Sequence, residues 1–282
     1  MDWKGAKTLI ILLLVGLNVA LFALAHVQRQ RFVMDADRVS ALTVVLQNQG
    51  ILLESDIIRH YYPMRQMRLS TRGFEHFRDG NRFFDVTQAS IENRVGATVL
   101  SLGTQRLTVS GNRMVYEKFS VRAAQEPLPQ QEAITISERF LREVDIFDNF
   151  RLDRIEADNV FVFVEVFRGH VVSANYARIS VGAGEVMRAE FRRFAPVDFV
   201  GQQQRISPAD EAMLTFMHAV VGYERPIIVR QMDIVYDFDE TKIGTGEFVN
   251  AVPCYRIFID GDLKPYMINA FVNEMMGGSH GR

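Results

Sequence analysis

One long apolar run stands near the start of the chain. Residues 8–25, TLIILLLVGLNVALFALA, contain 18 residues without a charge. As a helix this run is about 27 Å long, close to the ~30 Å hydrocarbon core of a bilayer. A helix on a soluble core normally keeps one polar face, and this run has none. The pattern therefore predicts a transmembrane helix over residues 8–25.

The flanks of the run predict its orientation. Lys4 and Lys7 precede it, which favours a cytoplasmic tail over residues 1–7. Three arginines follow it, at Arg29, Arg31 and Arg38. Charge alone therefore gives the orientation only partial support, and the small size of the leading segment decides it. We expect a single-pass protein of the cell membrane with a cytoplasmic N-terminus and an extracellular C-terminal bulk.

The alternative for this segment is a cleaved signal peptide. Ala23-Leu24-Ala25 fits the small-residue cleavage pattern, and the positive head fits too. However, the apolar run is longer than the usual ~7–15-residue core of a signal peptide. No helix breaker separates the run from Ala23. We therefore expect an uncleaved anchor, with cleavage after Ala25 as the alternative.

Small residues line one face of the predicted membrane helix. Gly16, Ala20 and Ala23 are spaced i, i+4 and i+7, which lets helix backbones approach closely. Asn18 is the only strongly polar side chain in the run and needs a hydrogen-bond partner in lipid. These four residues form the predicted partner-binding site. The alternative is that Gly and Ala are common in any membrane helix and that Asn18 bonds to its own backbone.

After residue 26 the pattern becomes that of a mixed α+β protein. Residues 35–49 have the apolar spacing of a helix, and residues 67–71 alternate as in a half-buried strand. A turn is predicted at residues 79–81, and a hairpin over 106–119 with Gly111-Asn112 as its loop. These elements predict a first extracellular domain over residues 26–122.

A linker and a second domain follow. Residues 123–132, AAQEPLPQQE, hold two prolines and predict the linker. In the second domain, residues 133–282, Thr135 and Ser207 each stand three residues before an acid, as in a capping box. A helix is predicted after each, followed by strands over 160–167, 171–181 and 185–194, and over 227–238, 255–259 and 263–271. This possible internal repeat, a helix on an antiparallel sheet twice, resembles the PepSY-type modules of exported bacterial proteins.

Composition and motifs argue against several kinds of chemistry. With 32 basic and 34 acidic residues the net charge is -2, which does not favour nucleic acid. The only cysteine, Cys254, excludes an internal disulfide and is expected to be buried and inert. The acidic run 233–240 lacks the glycine of a calcium loop and predicts a strand end with a charged turn. We expect no metal, no cofactor and no enzyme activity.

The opening residues carry a family resemblance. Met1-Asp2-Trp3-Lys4, then Lys7-Thr8, then Leu17-Asn18-Val19 in an apolar helix resemble the YycI (WalI) family. A helix ending near Gly50 and a tract leading to Tyr62-Pro63 and a strand follow the same layout. The chain departs from the usual family pattern in being rich in Arg and Phe outside the membrane.

The resemblance implies a YycH/YycI-type fold and a regulatory function. Members are membrane-anchored accessory regulators of the cell-wall sensor histidine kinase YycG (WalK) in Gram-positive bacteria, and they work beside a sister protein, YycH. Gly16, Asn18 and Ala20 would then lie in or near the contact with partner helices. The implied partners are the kinase, a YycH-like anchored protein and the lipid bilayer.

Two other functions remain open on the sequence alone. The first is an exported ligand-binding or inhibitor module of the PepSY kind that acts on envelope enzymes, which a ligand in an apolar pocket would favour. The second is a cell-wall enzyme, which a cluster of residues with shifted pKa in a cleft would favour.

Overall fold

The computed structural model describes residues 3–30, 32–119, 128–157, 159–224, 226–243, 246–262 and 264–277. These residues form a mixed α+β protein with five α-helices and one large sheet, which confirms the α+β part of the predicted fold class. The helices are α1 Trp3–Gln30, α2 Ala36–Asn48, α3 His76–Gly80, α4 Gln130–Val144 and α5 Ala209–Ala219.

The described strands form a branched sheet. They are β1 Ile51–Leu53, β2 Met64–Ser70, β3 Ser90–Arg94, β4 Ala97–Leu102, β5 Gln105–Ser110, β6 Arg113–Lys118, β7 Phe150–Ala157, β8 Val160–Phe167, β9 His170–Gly182, β10 Glu185–Arg192, β11 Ala195–Gln204, β12 Ile227–Asp237, β13 Phe248–Ile259, β14 Tyr266–Asn269 and β15 Glu274–Met275. The main order is β11-β2-β13-β12-β9-β10-β6-β5-β4-β3. Strand β1 pairs with β12, β14 with β13 and β15, and β8 with both β7 and β9.

Strand β9 joins the two halves of the sheet. Its residues 176–182 pair with β10, which leads to the half that contains β3–β6. Near its start, Val172 pairs with Tyr236 of β12, which leads to β13, β2 and β11. This pairing and that of β1 with β12 are parallel. The antiparallel pairing expected from the sequence therefore does not extend to these two contacts, because long connections that include a helix bring β12 alongside earlier strands.

Helices cover each half of the sheet over a separate core. Helix α4 places Leu141 against Phe161, Phe163 and Phe191 of the half that contains β8–β10. Helices α2 and α5 pack on the other half through residues that include Leu46, Met213 and Phe216, beside Tyr255 and Ile257 of β13. Each helix buries one apolar stripe, so packing supplies most of its stability.

The predicted helix starts were correct to different degrees. Helix α5 begins at Ala209 after Pro208, close to the start expected from Ser207. Helix α4 begins at Gln130 after Pro129, so the start expected at Thr135 is wrong. The Thr135 hydroxyl donates instead to the Gln131 carbonyl at 2.9 Å, four residues back inside the helix.

Two further expectations concern local connections. The turn expected at residues 79–81 is the end of α3, where the Asp79 carboxylate accepts a hydrogen bond from the Glu75 N–H. The expected linker 123–132 falls mostly outside the described residues, and its last residues open α4. Strands from both sides of it share the sheet, since β2 lies between β11 and β13. The domain boundaries and the internal repeat stay predictions.

Candidate functional site

The four predicted site residues lie on α1 and are exposed. At about 100° per residue, Gly16, Ala20 and Ala23 fall within about 60° of one another around the helix. Asn18 lies about 200° from Gly16, on the opposite side. No atom lies within 4 Å of the position that a Gly16 Cβ would occupy. The helix thus brings three of the four residues together on an open face and leaves Asn18 outside it.

Asn18 has a partner within its own helix. Its Nδ2 donates to the Leu14 carbonyl at 2.8 Å. This is the local bond that the sequence left open as an alternative to pairing with another helix. A carboxamide has a second N–H and an acceptor oxygen, so one such bond does not exhaust its capacity.

Large apolar side chains on α1 are exposed throughout residues 10–24. They are Ile10, Ile11, Leu12, Leu13, Leu14, Val15, Leu17, Val19, Leu21, Phe22 and Leu24. Contiguous exposed apolar surface of this kind is typical of a contact with another protein or with lipid. Among the residues that the structure describes, none of the helices combines the length and apolarity needed to cross a membrane.

A short backbone clamp holds residues 32–34, which follow α1 in the sequence, on the folded body. We call residues 32–34 and 59–62 the collar. It contains an antiparallel bridge between Val33 and His60, a hydrogen bond from Met34 N to Arg59 O at 2.8 Å, and one from Tyr61 N to Phe32 O at 3.0 Å. The collar holds residues 32–34 in place just before α2.

Aromatic rings close the collar. The Phe32 ring meets the Tyr61 ring edge-on, with centroids 6.1 Å apart, and lies 6.3 Å from the Tyr62 ring. The His60 ring stacks on Tyr62 at 5.6 Å. The collar was not foreseen, although the aromatic pair before Pro63 was visible in the sequence. Its two segments are too far apart in the chain for local periodicity to connect them.

Cys254 lies in a protected environment. It is buried, its thiol contacts the Val252 carbonyl at 3.3 Å, and its sulfur lies 3.0 Å from the Met276 sulfur. Burial raises the pKa of the thiol well above its ordinary value, so the reactive thiolate is disfavoured. The expectation that Cys254 is buried is confirmed.

The acidic run 233–240 has the predicted structure. Strand β12 ends at Asp237, and residues Glu240–Lys242 form a 3-10 turn. Asp239 accepts hydrogen bonds from the Thr241 N–H and hydroxyl, at 3.1 and 2.7 Å. In the described part of the chain, no three His, Cys, Asp or Glu side chains are grouped as metal ligands would be.

Asp237 is expected to make stability depend on pH. Burial raises the pKa of its carboxyl to about 6, even though the carboxylate accepts the Phe238 N–H at 2.7 Å. An unfolded aspartate titrates near pH ~3.9. Between about pH 4 and 6 the folded state therefore binds more protons, and its stability falls as pH rises. Asp237→Asn should make the thermal midpoint fall less across this range.

A matched control is Asp198→Asn. The Phe199 N–H and the Arg168 guanidinium lower the pKa of the exposed Asp198 carboxyl, so its contribution has the opposite sign. Thermal unfolding at pH 4, 5, 6 and 7 compares the two variants with the wild type. Parallel curves for Asp237→Asn and the wild type would contradict the expectation.

Comparison with known proteins finds a similar fold among solved structures. No family model and no curated protein matches the sequence. The described fold is similar to that of an uncharacterized protein from Eubacterium rectale ATCC 33656. The TM-score is 0.55 at 11% sequence identity, and the match covers 81% of this chain and 91% of the other. At that identity the similarity shows a shared fold and nothing about function.

Two other solved structures are more distantly similar. YycH from Bacillus subtilis matches with a TM-score of 0.48 and 13% identity, over 73% of this chain and 54% of YycH. The C-terminal domain of Bacillus megaterium YpeB matches with a TM-score of 0.42 and 12% identity, over 73% of this chain and 97% of that domain. We draw no function from similarities at this level, and membership of the YycI family stays a prediction.

Proposed function

We propose that the protein is a membrane-anchored accessory regulator of a sensor histidine kinase and acts by protein contacts rather than catalysis. Residues 8–25 are the proposed anchor, with residues 1–7 in the cytoplasm and the folded body outside the cell. The partners proposed from the sequence resemblance are a YycG/WalK-like kinase and a YycH-like anchored protein.

The observation that carries the proposal is the open small-residue face of α1. Gly16, Ala20 and Ala23 lie together and exposed, on a helix whose large side chains are exposed as well. Small residues in such a pattern let a second helix approach within backbone contact. The anchor itself is supported by the uncharged sequence of residues 8–25, some of whose side chains lie outside the described set.

The connection between α1 and the body supports a role beyond tethering. The collar leads directly into α2, and α2 is attached to α5 by an ion pair between Arg38 Nε and Asp210 Oδ2 at 2.6 Å. Helix α5 in turn packs into the core over β12–β14. A change in the position of α1 would therefore act on ordered structure. We propose that a partner helix bound to α1 and a partner bound to the exported domain favour the same conformation of the protein.

The magnitude of a single helix contact limits this mechanism. An interhelical hydrogen bond in a membrane is worth roughly 0.6–2 kcal/mol. That biases a two-state kinase several-fold but does not hold a complex alone. The exported domain must supply the remaining affinity in the proposed complex.

The test is a reporter of kinase-dependent transcription in cells that carry variants at matched protein levels. Gly16→Leu should block close approach of a partner helix and shift output roughly two- to tenfold in the direction of gene deletion. Asn18→Leu should shift it less, since Asn18 already bonds to Leu14. Ile10→Phe, which adds volume about 120° around the helix from Gly16 and about 80° from Asn18, is the control and should behave like the wild type.

Two outcomes would count against the proposal. If cells with Gly16→Leu gave the same reporter output as the wild type, α1 would serve only to attach the protein to the membrane. An unchanged reporter after deletion of the gene would remove kinase regulation altogether and favour an exported PepSY-like module that acts on envelope enzymes.

A further inference from the structure

A small arginine-lined cavity lies where residues 72–74 cross the tip of the β5–β6 hairpin. Its volume is about 70 Å³. Four arginines contribute to its lining, Arg72, Arg78, Arg82 and Arg193, beside one carboxylate, Asp79. Three carboxylates outside the lining, Glu75, Asp145 and Glu165, also pair with these arginines, so the positive charges are locally balanced. The guanidinium N–H groups left over from these pairs, and not a net charge, are what the cavity offers to an anion.

Close backbone packing builds this site. The Phe74 N–H donates to the Gly111 carbonyl at 2.8 Å, and the Arg193 N–H donates to the Asn112 carbonyl at 3.0 Å. A Cβ on Gly73 would lie 2.5 Å from the Gly111 oxygen, so only glycine fits there without a backbone shift. The hairpin tip therefore fixes the positions of Arg72 and Arg193 on either side of it.

The one carboxylate in the lining is already occupied. Asp79 is buried and its Oδ2 accepts the Glu75 N–H at 2.7 Å. Its two oxygens also accept from Arg78 Nε and Nη2, at 3.2 and 3.4 Å. Because these donors neutralise Asp79 locally, it opposes an incoming anion less than a free carboxylate would.

The arginines have more donors than the protein supplies acceptors. A guanidinium carries five N–H donors. Arg72 Nη2 donates to Glu75 at 2.6 Å, and Arg193 Nη2 donates to Glu165 at 3.0 Å. Arg193 Nε is buried and has no partner among the described residues. A buried N–H without an acceptor is unfavourable and indicates a missing acceptor.

We propose that this cavity binds a small oxyanion of the phosphate class, with Arg72 and Arg193 as its principal donors. Guanidinium groups bind phosphate oxygens through short charge-assisted hydrogen bonds. The small volume suits one oxyanion group and not an extended ligand. The site lies in the folded body and does not depend on the proposed regulation of a kinase.

The experiment uses the full chain in detergent micelles and inorganic phosphate as the probe. Isothermal titration and the thermal midpoint are measured in sodium phosphate, sodium sulfate and sodium acetate, each against sodium chloride at equal ionic strength. Phosphate and sulfate should bind saturably and raise the midpoint, and acetate should bind more weakly. Equal behaviour in phosphate and chloride, or binding of acetate as tight as that of phosphate, would overturn the proposal.

Variants locate the site. Arg72→Gln removes an exposed arginine and should weaken phosphate binding about tenfold. Arg193→Lys keeps the charge but lacks the Nε donor, and should weaken it to a similar extent. Arg188→Gln, which removes an arginine paired with Glu117 outside the cavity, is the matched control. Wild-type affinity in Arg72→Gln would refute the assignment, even if Arg193→Lys fails to fold.

Discussion

Replacing Arg256 by methionine is expected to lower the free energy of unfolding by about 3–5 kcal/mol. The Arg256 side chain is 1% exposed and lies between Asp153 and Asp233. Removing the cation leaves the fully buried Asp153 carboxylate with Arg154 Nη1, at 3.0 Å, as its remaining ion-pair partner. Breaking a buried ion pair by removing one partner is among the few single changes that cost this much.

The geometry explains why the effect should be large. Arg256 forms two forked ion pairs, with Nη2 and Nη1 on Asp153 at 2.6 and 3.0 Å, and Nε and Nη2 on Asp233 at 2.9 and 2.7 Å. Burial alone lowers the pKa of Arg256, but the two carboxylates outweigh it and raise the pKa above its ordinary value. The cluster connects β7 to β12 and β13, so it holds the two halves of the sheet together.

Urea unfolding of the full chain in micelles, followed by circular dichroism, measures this loss. Arg188→Ala, at an exposed ion pair with Glu117, is the control and should cost no more than about 1 kcal/mol. Combining Arg256→Met with Asp153→Asn and Asp233→Asn should recover part of the lost free energy of unfolding. The two carboxylate charges that had paired with Arg256 are then removed as well. If Arg256→Met lowered the free energy of unfolding by less than about 1 kcal/mol, the cluster would not be a major source of stability.

The Arg256 cluster is also an example of structure that could not be predicted from the sequence. Helix α2, strand β8 and the β5–β6 hairpin follow from periodicity within a few residues, and the structure has them where they were expected. Arg256 and Asp153 are 103 positions apart, and nothing local in either strand specifies the other. The same holds for the parallel contact of β9 with β12, which depends on how the long connections pack.

The site residues divide in the same way. Helical spacing correctly places Gly16, Ala20 and Ala23 on one face, because three residues within two turns are a local pattern. The collar and the arginine cavity each need segments from separate parts of the chain. The arginines of residues 72–82 are visible in the sequence, but the cavity that they line forms only when Arg193 joins them across the hairpin.

Asn175→Leu is expected to destabilise the protein by about 3–5 kcal/mol, through lost hydrogen bonds rather than lost charge. Asn175 is fully buried on β9. Its Nδ2 donates to the Phe194 carbonyl at 2.9 Å, and its Oδ1 accepts the Phe194 N–H at 2.7 Å. Pairing between β9 and β10 ends at Tyr176 and Arg192, so this side chain replaces the ladder where the chain turns into β11.

Leucine has the same number and branching of side-chain heavy atoms as asparagine but none of its hydrogen-bonding groups. It would leave the N–H and carbonyl of Phe194 without their partner. Each unsatisfied buried group costs about 1–3 kcal/mol. Asn175 Nδ2 also donates to Glu165 Oε2 at 2.6 Å. Burial raises the pKa of Glu165, and Asn175 and Arg193 oppose that rise. Without Asn175 the pKa should rise further, and stability should be lost as pH rises through it.

The pH dependence separates this account from simple mispacking. The deficit of Asn175→Leu should be larger at pH 8 than at pH 5, whereas a packing defect would be the same at both. Asn250→Leu, on an exposed asparagine whose side chain donates to Gln66 Oε1 at 3.2 Å, is the matched control and should change stability by less than about 1 kcal/mol. If urea unfolding gave the two variants equal stability, the edge-to-face contact of Phe194 with Phe238 would be sufficient to stabilise the turn from β10 into β11. The hydrogen bonds of Asn175 would then contribute little.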